Sequence, residues 1–309
     1  MPLTAHREPR VSPELQTLRS LSPRLDLSAK HKKNLSNLEK GYQGEWNFFQ
    51  LLVKKLTSNC IRLYDLLLEC NQTEFQIDNL LIFQNTIFMN EVKNFAGDFY
   101  VKDDQWYAVA KGKEIRNPLP QLQRSEFLLR QLLQQLGVHF QLEAQLVFVH
   151  PEFTLYQAPY DKSLVFPTQL KRYLKKLNTV PSSLTTKHRK FAEQLVALNL
   201  EKSSQERLPE FHYDQLQKGI VCSSCKHFMA PFNNDSLQCT NCRTKEKLDD
   251  AVMRSTEEFH VLFPKHRITT TEIFEWCKVV NSKKTIRRIL MKNMTLNSNG
   301  KYSYYTKKQ

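Results

Sequence analysis

Asp78, Glu91 and Lys93 interrupt a stretch otherwise built for burial, FQIDNLLIFQNTIFMNEVKNF, residues 75 to 95. Read as two strands joined by a short turn, with side chains alternating between faces, it puts Glu91 and Lys93 on one face with Asp78 across from them. Such a face could hold a divalent cation. Mg²⁺ takes oxygen ligands, one or two carboxylates with waters and a substrate phosphate, and Asp78 with Glu91 supplies that pair. Lys93 beside the ion would orient an attacking water whose pKa the metal lowers, and would neutralise charge developing on a scissile phosphate. A fourth candidate is Glu45 in GYQGEWNFFQLLVKKL. Phe48, Phe49 and Leu52 stand three, four and seven residues beyond it, so a helix here aims Glu45 inward, where a carboxylate is costly without a partner. The same charges also read as edge-strand residues or a partly buried ion pair.

A second constellation is Cys222-x-x-Cys225 with Cys239-x-x-Cys242. Two such knuckles, with the turn-forming NNDS between them, can close a tetrahedral Zn²⁺ site of four thiolates, the pattern of a zinc ribbon. No ligand position stays open, so one structural Zn²⁺ is expected, ordering a segment too small for its own core. Cys60, Cys70 and Cys277 are left over and read as small apolar packing residues.

The elements that must position these groups follow from periodicity. Trp46, Phe49, Val53 and Leu56 recur at helical spacing over 41–56, with Glu45 near the start of that helix. Strand-like runs follow at 61–69, 74–83 and 86–94, with a weaker pair around GDFYV and QWYAV, which together read as an antiparallel meander. NPLPQLQRSEFLLRQLLQQL is a helix with Pro near its start, and QLVFVH a strand buried on both faces. Residues 156–215 read as two basic amphipathic helices and a polar linker.

The ordered series Glu45, QIDNLL, MNEVKNFAG and NPLPQLQ resembles the nuclease-related domain family, NERD, within the PD-(D/E)XK nuclease superfamily, over about residues 35–155. The resemblance implies an α/β, restriction-endonuclease-like core of helix, three-stranded antiparallel meander, helix and strand. It implies Glu45 as the helix acid, Asp78 and Glu91 as ligands of Mg²⁺ or Mn²⁺, and Lys93 as the catalytic lysine, with the main-chain carbonyl of Val92 a further ligand. Gln121 matches the family's polar position after NPL, and Gln123 is almost as well placed. Asn79 stands where the family more often has His.

Charge points to a polyanionic partner: 45 Lys and Arg against 31 Asp and Glu give +14. Twelve of the basic residues and four of the acids lie in 251–309, so more than half of the excess sits in the last fifth of the chain. There ITTTEIFEWCKVVNSKKTIRRILMKNM reads as two helices with a break at VVN, and GKYSYYTKK as a short strand. This resembles a winged helix-turn-helix whose second helix turns Lys283, Lys284, Arg287 and Arg288 toward phosphates, or else a solvated basic face of a protein-interaction module. Seven glycines leave no room for a Walker loop or a dinucleotide fingerprint, and no G-x-S-x-G or H-E-x-x-H occurs. With no apolar run of about eighteen residues and no secretory signal, a cytoplasmic protein is expected.

The expected division is a basic arm (1–34), the nuclease-like domain (35–155), a helical linker (156–215), the zinc ribbon (216–247) and a winged-helix-like domain (248–309). The expected function is metal-dependent hydrolysis of phosphodiester bonds, in DNA above all. Its rival is a non-catalytic nucleic-acid-binding or regulatory protein on a nuclease-like scaffold.

Overall fold

The computed structural model describes residues 8–200, 207–298, 300 and 303–308. The described residues fall into two units, one holding 8–11 and 37–200, the other 12–36 and 207–308. Both mix α and β structure. No helix among the described residues is long and apolar enough to cross a membrane.

The chain opens with helices α1 (Pro13–Leu21) and α2 (Ala29–Lys55). The sequence places the start of the second helix near residue 41, where its apolar stripe begins; the helix starts twelve residues earlier, in AKHKKNLSNLEK. That segment has little to bury, but Ala, Lys, Leu and Glu favour the helix once a packed neighbour has nucleated it. Glu45 is therefore a mid-helix residue.

In the first unit, β1 (Ile61–Cys70), β2 (Thr73–Ile82) and β3 (Thr86–Lys93) form the expected antiparallel meander. The weaker pair is β4 (Gly97–Lys102) and β5 (Gln105–Ala108), joined by β6 (Lys113–Ile115). Then come α3 (Leu119–Gln135), β7 (Gln141–Phe148), β8 (Phe153–Tyr156), β9 (Leu164–Val165), α4 (Leu170–Asn178) and α5 (Thr186–Ala197). The main sheet has the order β1-β2-β3-β7-β9, parallel from β3 onward, and β6-β5-β4-β8 make a second sheet. Parallel pairing of β3 with β7 needs a long crossover, which α3 supplies. Its residues Leu122, Leu128, Leu129, Leu132 and Leu133 join one core cluster, while Phe48, Phe49 and Leu52 of α2 pack with Tyr173, Leu174 and Leu177 of α4 in another.

One departure from regular alternation bears on the site. In β1 the residues of the larger cluster are Ile61 and Leu63, then Leu66 and Leu68; in β2 they are Ile82 and Leu80, then Ile77 and Phe75. Parity switches in both strands at the same rung. There Asp65 takes a left-handed backbone, φ 50°, which Asp tolerates better than most residues. The polar residues Asp78 and Asn79 occupy the switch on the partner strand.

In the second unit, β10 (Met229–Asn233), β11 (Ser236–Cys239) and β12 (Lys245–Lys247) form a three-stranded antiparallel sheet around the cysteines, as the ribbon reading expects. Helices α6 (Leu248–Leu262), α7 (Thr270–Cys277) and α8 (Lys283–Asn293) and the hairpin of β13 (Met294–Asn297) and β14 (Tyr304–Lys307) complete it. Thr269 and Ser282 cap α7 and α8 by accepting from the Glu272 and Lys284 amides. A bridge from Ile268 to Tyr305 adds a third short strand position to the hairpin. Arg24, between α1 and α2, is buried here: it donates to both Glu258 carboxylate oxygens at 2.6 and 3.1 Å, and its guanidinium lies 4.0 Å from the Trp276 ring centroid.

Candidate active site and candidate metal centre

The β2–β3 ladder runs from Ile82↔Ile87 to Asn79↔Asn90 and stops. Beyond it β3 stays paired with β7 through Lys93, so the two meander strands part just where Asp78 and Glu91 face one another. The Val92 amide, freed from β2's main chain, donates to Asp78 Oδ2 at 2.7 Å. This bond fixes one carboxyl oxygen and leaves Oδ1 to face another partner.

Glu91 is buried, at 4% exposure, and its Oε1 takes two donors: Lys93 Nζ at 2.6 Å and Gln121 Nε2 at 2.6 Å. Gln121 Oε1 in turn accepts from Lys93 Nζ at 3.3 Å, closing a triangle of strand acid, strand lysine and helix amide. Gln123 is exposed, so of the two glutamines in NPLPQLQ only Gln121 reaches the cluster.

Glu45 arrives from α2. Gly44 lets it come close: a Cβ there would lie 2.6 Å from the Asn94 Cβ, and Asn94 donates to the Lys40 carbonyl of the same helix. Burial, then the charges of Asp65 and Glu91, push the Glu45 carboxyl up to about 8, against the pull of Lys93. Burial and the charges of Glu91 and Glu45 hold Asp78 well above the usual carboxylate range. Burial works against the charge on Lys93, but Glu91, Asp78 and Glu45 outweigh it and hold its pKa above the ordinary lysine value. The arrangement is a crowd of oxygen donors whose mutual repulsion a cation would relieve. These hard carboxylate ligands fit Mg²⁺ or Mn²⁺ by chemistry, although they are not drawn into a set with all ligand atoms within 4.8 Å of one another.

Sequence reasoning missed Asp65. Its signal was an acid in the middle of the apolar strand IRLYDLLLE, and its left-handed backbone sets it where its charge reaches Glu45. Asn79, at 1% exposure, points away from the acids. It donates to the Leu63 carbonyl and accepts from Asn90 Nδ2 at 2.7 Å, and Asn90 accepts from the Tyr173 hydroxyl. The residue after the aspartate is thus a buried brace of the two strands that carry the site.

Residues 40–151 match the family model of the nuclease-related domain. Over this stretch the chain is similar to the nuclease-related domain. Glu45, Asp78, Glu91, Lys93 and Gln121 all lie inside the matched stretch. No curated protein matches the chain. Among solved structures, protein VC1899 from Vibrio cholerae is similar at 16% identity and a TM-score of 0.25, over 54% of this chain and 50% of that one. The chain thus spans about half the length of that protein, and likeness of this degree carries no argument.

Outside the nuclease-related domain, Cys222, Cys225, Cys239 and Cys242 bring their four sulfurs within 4.8 Å of one another. Cys222 Sγ lies 3.7 Å from Cys242 Sγ and Cys225 Sγ 3.3 Å from Cys239 Sγ. Four thiolates about 2.3 Å from a tetrahedral Zn²⁺ stand about 3.8 Å apart, so the quartet is close to the size the ion needs. The His227 amide leads the groups that lower the Cys225 thiol to about 5, and the Thr244 hydroxyl lowers Cys242. Both favour the thiolates a metal would take up. The left-over cysteines are all buried, and burial pushes the Cys277 thiol up to about 12.

On α8, Lys283, Lys284 and Arg287 are exposed. Arg288 is exposed but bound: it donates to Asp249 at 2.8 and 3.3 Å, with Lys292 3.4 Å from the same carboxylate. Three of the four expected phosphate contacts are therefore free of an ion pair among the described residues.

Proposed function

We propose that the protein is a metal-dependent nuclease that hydrolyses phosphodiester bonds, with DNA as substrate. The observation that carries this reading is the hydrogen-bonded triangle of Glu91, Lys93 and Gln121, next to Asp78 and within electrostatic reach of Glu45, inside a nuclease-related domain.

Asp78 and Glu91 would hold Mg²⁺ or Mn²⁺, which supplies Lewis-acid activation of water and neutralises charge on the phosphate. Asp78 offers Oδ1, since Oδ2 is committed to the Val92 amide, and single-oxygen ligation suits an octahedral ion. Lys93 holds a positive charge beside Glu91, placed to orient an attacking water and to stabilise the phosphorane-like transition state. Gln121 fixes the ammonium by accepting from it, and fixes Glu91 by donating to it. Glu45, within electrostatic reach of Glu91 and Lys93, would take the proton that an attacking water gives up once a bound cation favours its carboxylate form.

One structural Zn²⁺ in the cysteine quartet and phosphate contacts from Lys283, Lys284 and Arg287 on the second unit complete the reading. A reducing, cytoplasmic setting agrees with four thiols kept for metal. One observation favours the non-catalytic alternative: every acid that would bind metal already has a protein partner or a raised pKa.

The test is a cleavage gel of purified protein with linear, circular and single-stranded DNA, with and without Mg²⁺ or Mn²⁺. Metal-dependent products are expected, and binding with no cleavage under any metal gives the scaffold reading the field.

A further inference from the structure

We propose that the outer face of the zinc ribbon is a stacking platform for single-stranded nucleic acid, with Phe232 as the surface on which a base stacks. The proposal rests on the nucleic-acid reading above and narrows it to a strand form.

The sequence KHFMAPFNNDS gives β10 an extra residue. Pairing with β11 runs Met229↔Cys239, Ala230↔Gln238 and Pro231↔Leu237, then shifts to Asn233↔Ser236, which leaves Phe232 as the bulged residue. A bulge re-aims a side chain, and here it turns a large aromatic outward instead of into the core: Phe232 is 49% exposed. Lys245 of β12 pairs with Gln238 of β11, and its ammonium lies over the Phe232 ring, 3.5 Å from the centroid. Lys247, opposite Ser236, is exposed on the same face.

The acid of β12 is kept off this face. Glu246 alternates to the other side opposite Leu237 and binds Arg254 at 2.6 and 3.0 Å. Asp235 sits in the turn between β10 and β11, beyond the strands. What remains is a half-exposed ring with the Lys245 ammonium over it and Lys247 exposed two residues further along β12, on a sheet that a metal centre would hold rigid. An isolated exposed Phe needs no explanation, but a ring with lysines at hand matches what unpaired nucleotides require: a π surface for the base and positive charge for its phosphate. Duplex DNA hides its base faces, so a stacking residue gains nothing from it. The lysines would serve either form.

The test measures binding of the full chain to fluorescein-labelled oligonucleotides by anisotropy, without divalent metal or chelator so that cleavage plays no part. The probes are a fifteen-nucleotide dT strand, an abasic strand of the same length, and a duplex. Phe232→Ala should weaken dT binding about tenfold or more and leave abasic and duplex binding unchanged, while Phe232→Trp restores it. Lys245→Ala and Lys247→Ala should weaken dT and abasic strands alike, and each should reduce the salt slope on single strands by about 0.7. Zinc content by native mass spectrometry confirms that each variant keeps its ribbon. The proposal is overturned if Phe232→Ala binds dT like wild type, if it loses the abasic strand equally, or if the wild type binds no single strand. A cleavage-dead protein that still shows the Phe232 effect would sink the nuclease reading and leave the platform standing.

Discussion

The carboxylate cluster of the nuclease-related stretch and the cysteine quartet both gather metal-ligating side chains, yet they are built in opposite ways. The quartet is four like donors within 4.8 Å of one another, drawn from two turns only fourteen residues apart at their nearest cysteines. The carboxylates come from a helix and two strands, and the two strand acids are tied to something else: Asp78 to the Val92 amide, Glu91 to Lys93 and Gln121. A closed set of identical ligands fills its ion's coordination and does architecture. An open, mixed set leaves positions for water and substrate, which is what chemistry needs.

The difference can be broken in four places. Removing one ligand of the closed site should have the largest effect. Cys239→Ser should abolish stoichiometric Zn²⁺, because zinc binding in small metal domains is worth about 10 kcal/mol or more and is folding energy. Residues 220–247 should then become protease-sensitive while the nuclease-related domain keeps its fold, as limited proteolysis with mass spectrometry would show.

Removing a ligand of the open site should leave the fold alone. Asp78→Asn should lower metal-dependent cleavage by about 10³-fold with unchanged far-ultraviolet circular dichroism, since a metal supplies several kcal/mol of transition-state stabilisation. DNA affinity without metal should hold, because the substitution removes a metal ligand and no basic group that meets phosphate. Wild-type turnover in this variant would show that the carboxylates are structural.

A smaller loss is expected from Lys93→Ala, about 10²-fold in the chemical step with metal binding retained. Calorimetry with Mn²⁺ separates the two substitutions, as only the aspartate variant should lose the binding signal.

Gly44→Ala should have the smallest effect. Alanine favours a helix by about 0.5–1 kcal/mol over glycine, but its methyl would meet Asn94 at 2.6 Å and push α2 away from β3. A few-fold loss of rate at nearly constant melting temperature would place Gly44 in the positioning of Glu45. No change in rate would show that helix placement is not limiting.

Much of this architecture is legible in the sequence. The alternation of NLLIF and TIFMNEVKN gave the meander, and acids inside apolar runs marked Asp78 and Glu91, because burial makes an unpartnered charge expensive enough to need a reason. Spacing alone identified the cysteine quartet. What sequence could not give was anything that depends on broken regularity. The parity switch at Asp65 has no composition signature, so that acid went unnoticed and its influence on Glu45 with it. The helical run of 29–40 was invisible to a search for apolar stripes. Arg288 looked like its neighbours in SKKTIRR, and only the fold shows that Asp249 has claimed it.

The bond from the Val92 amide to Asp78 also gives the nuclease-related domain a built-in spectroscopic probe. An amide proton's resonance follows the charge on its acceptor, and this acceptor is the carboxylate next to the parted strands. Titrating Mg²⁺ into ¹⁵N-labelled protein should therefore move the Val92 cross-peak in step with occupancy, while Asn90, whose side chain braces the other face, stays still. A single main-chain nucleus would then report loading of the site without any substrate being cut.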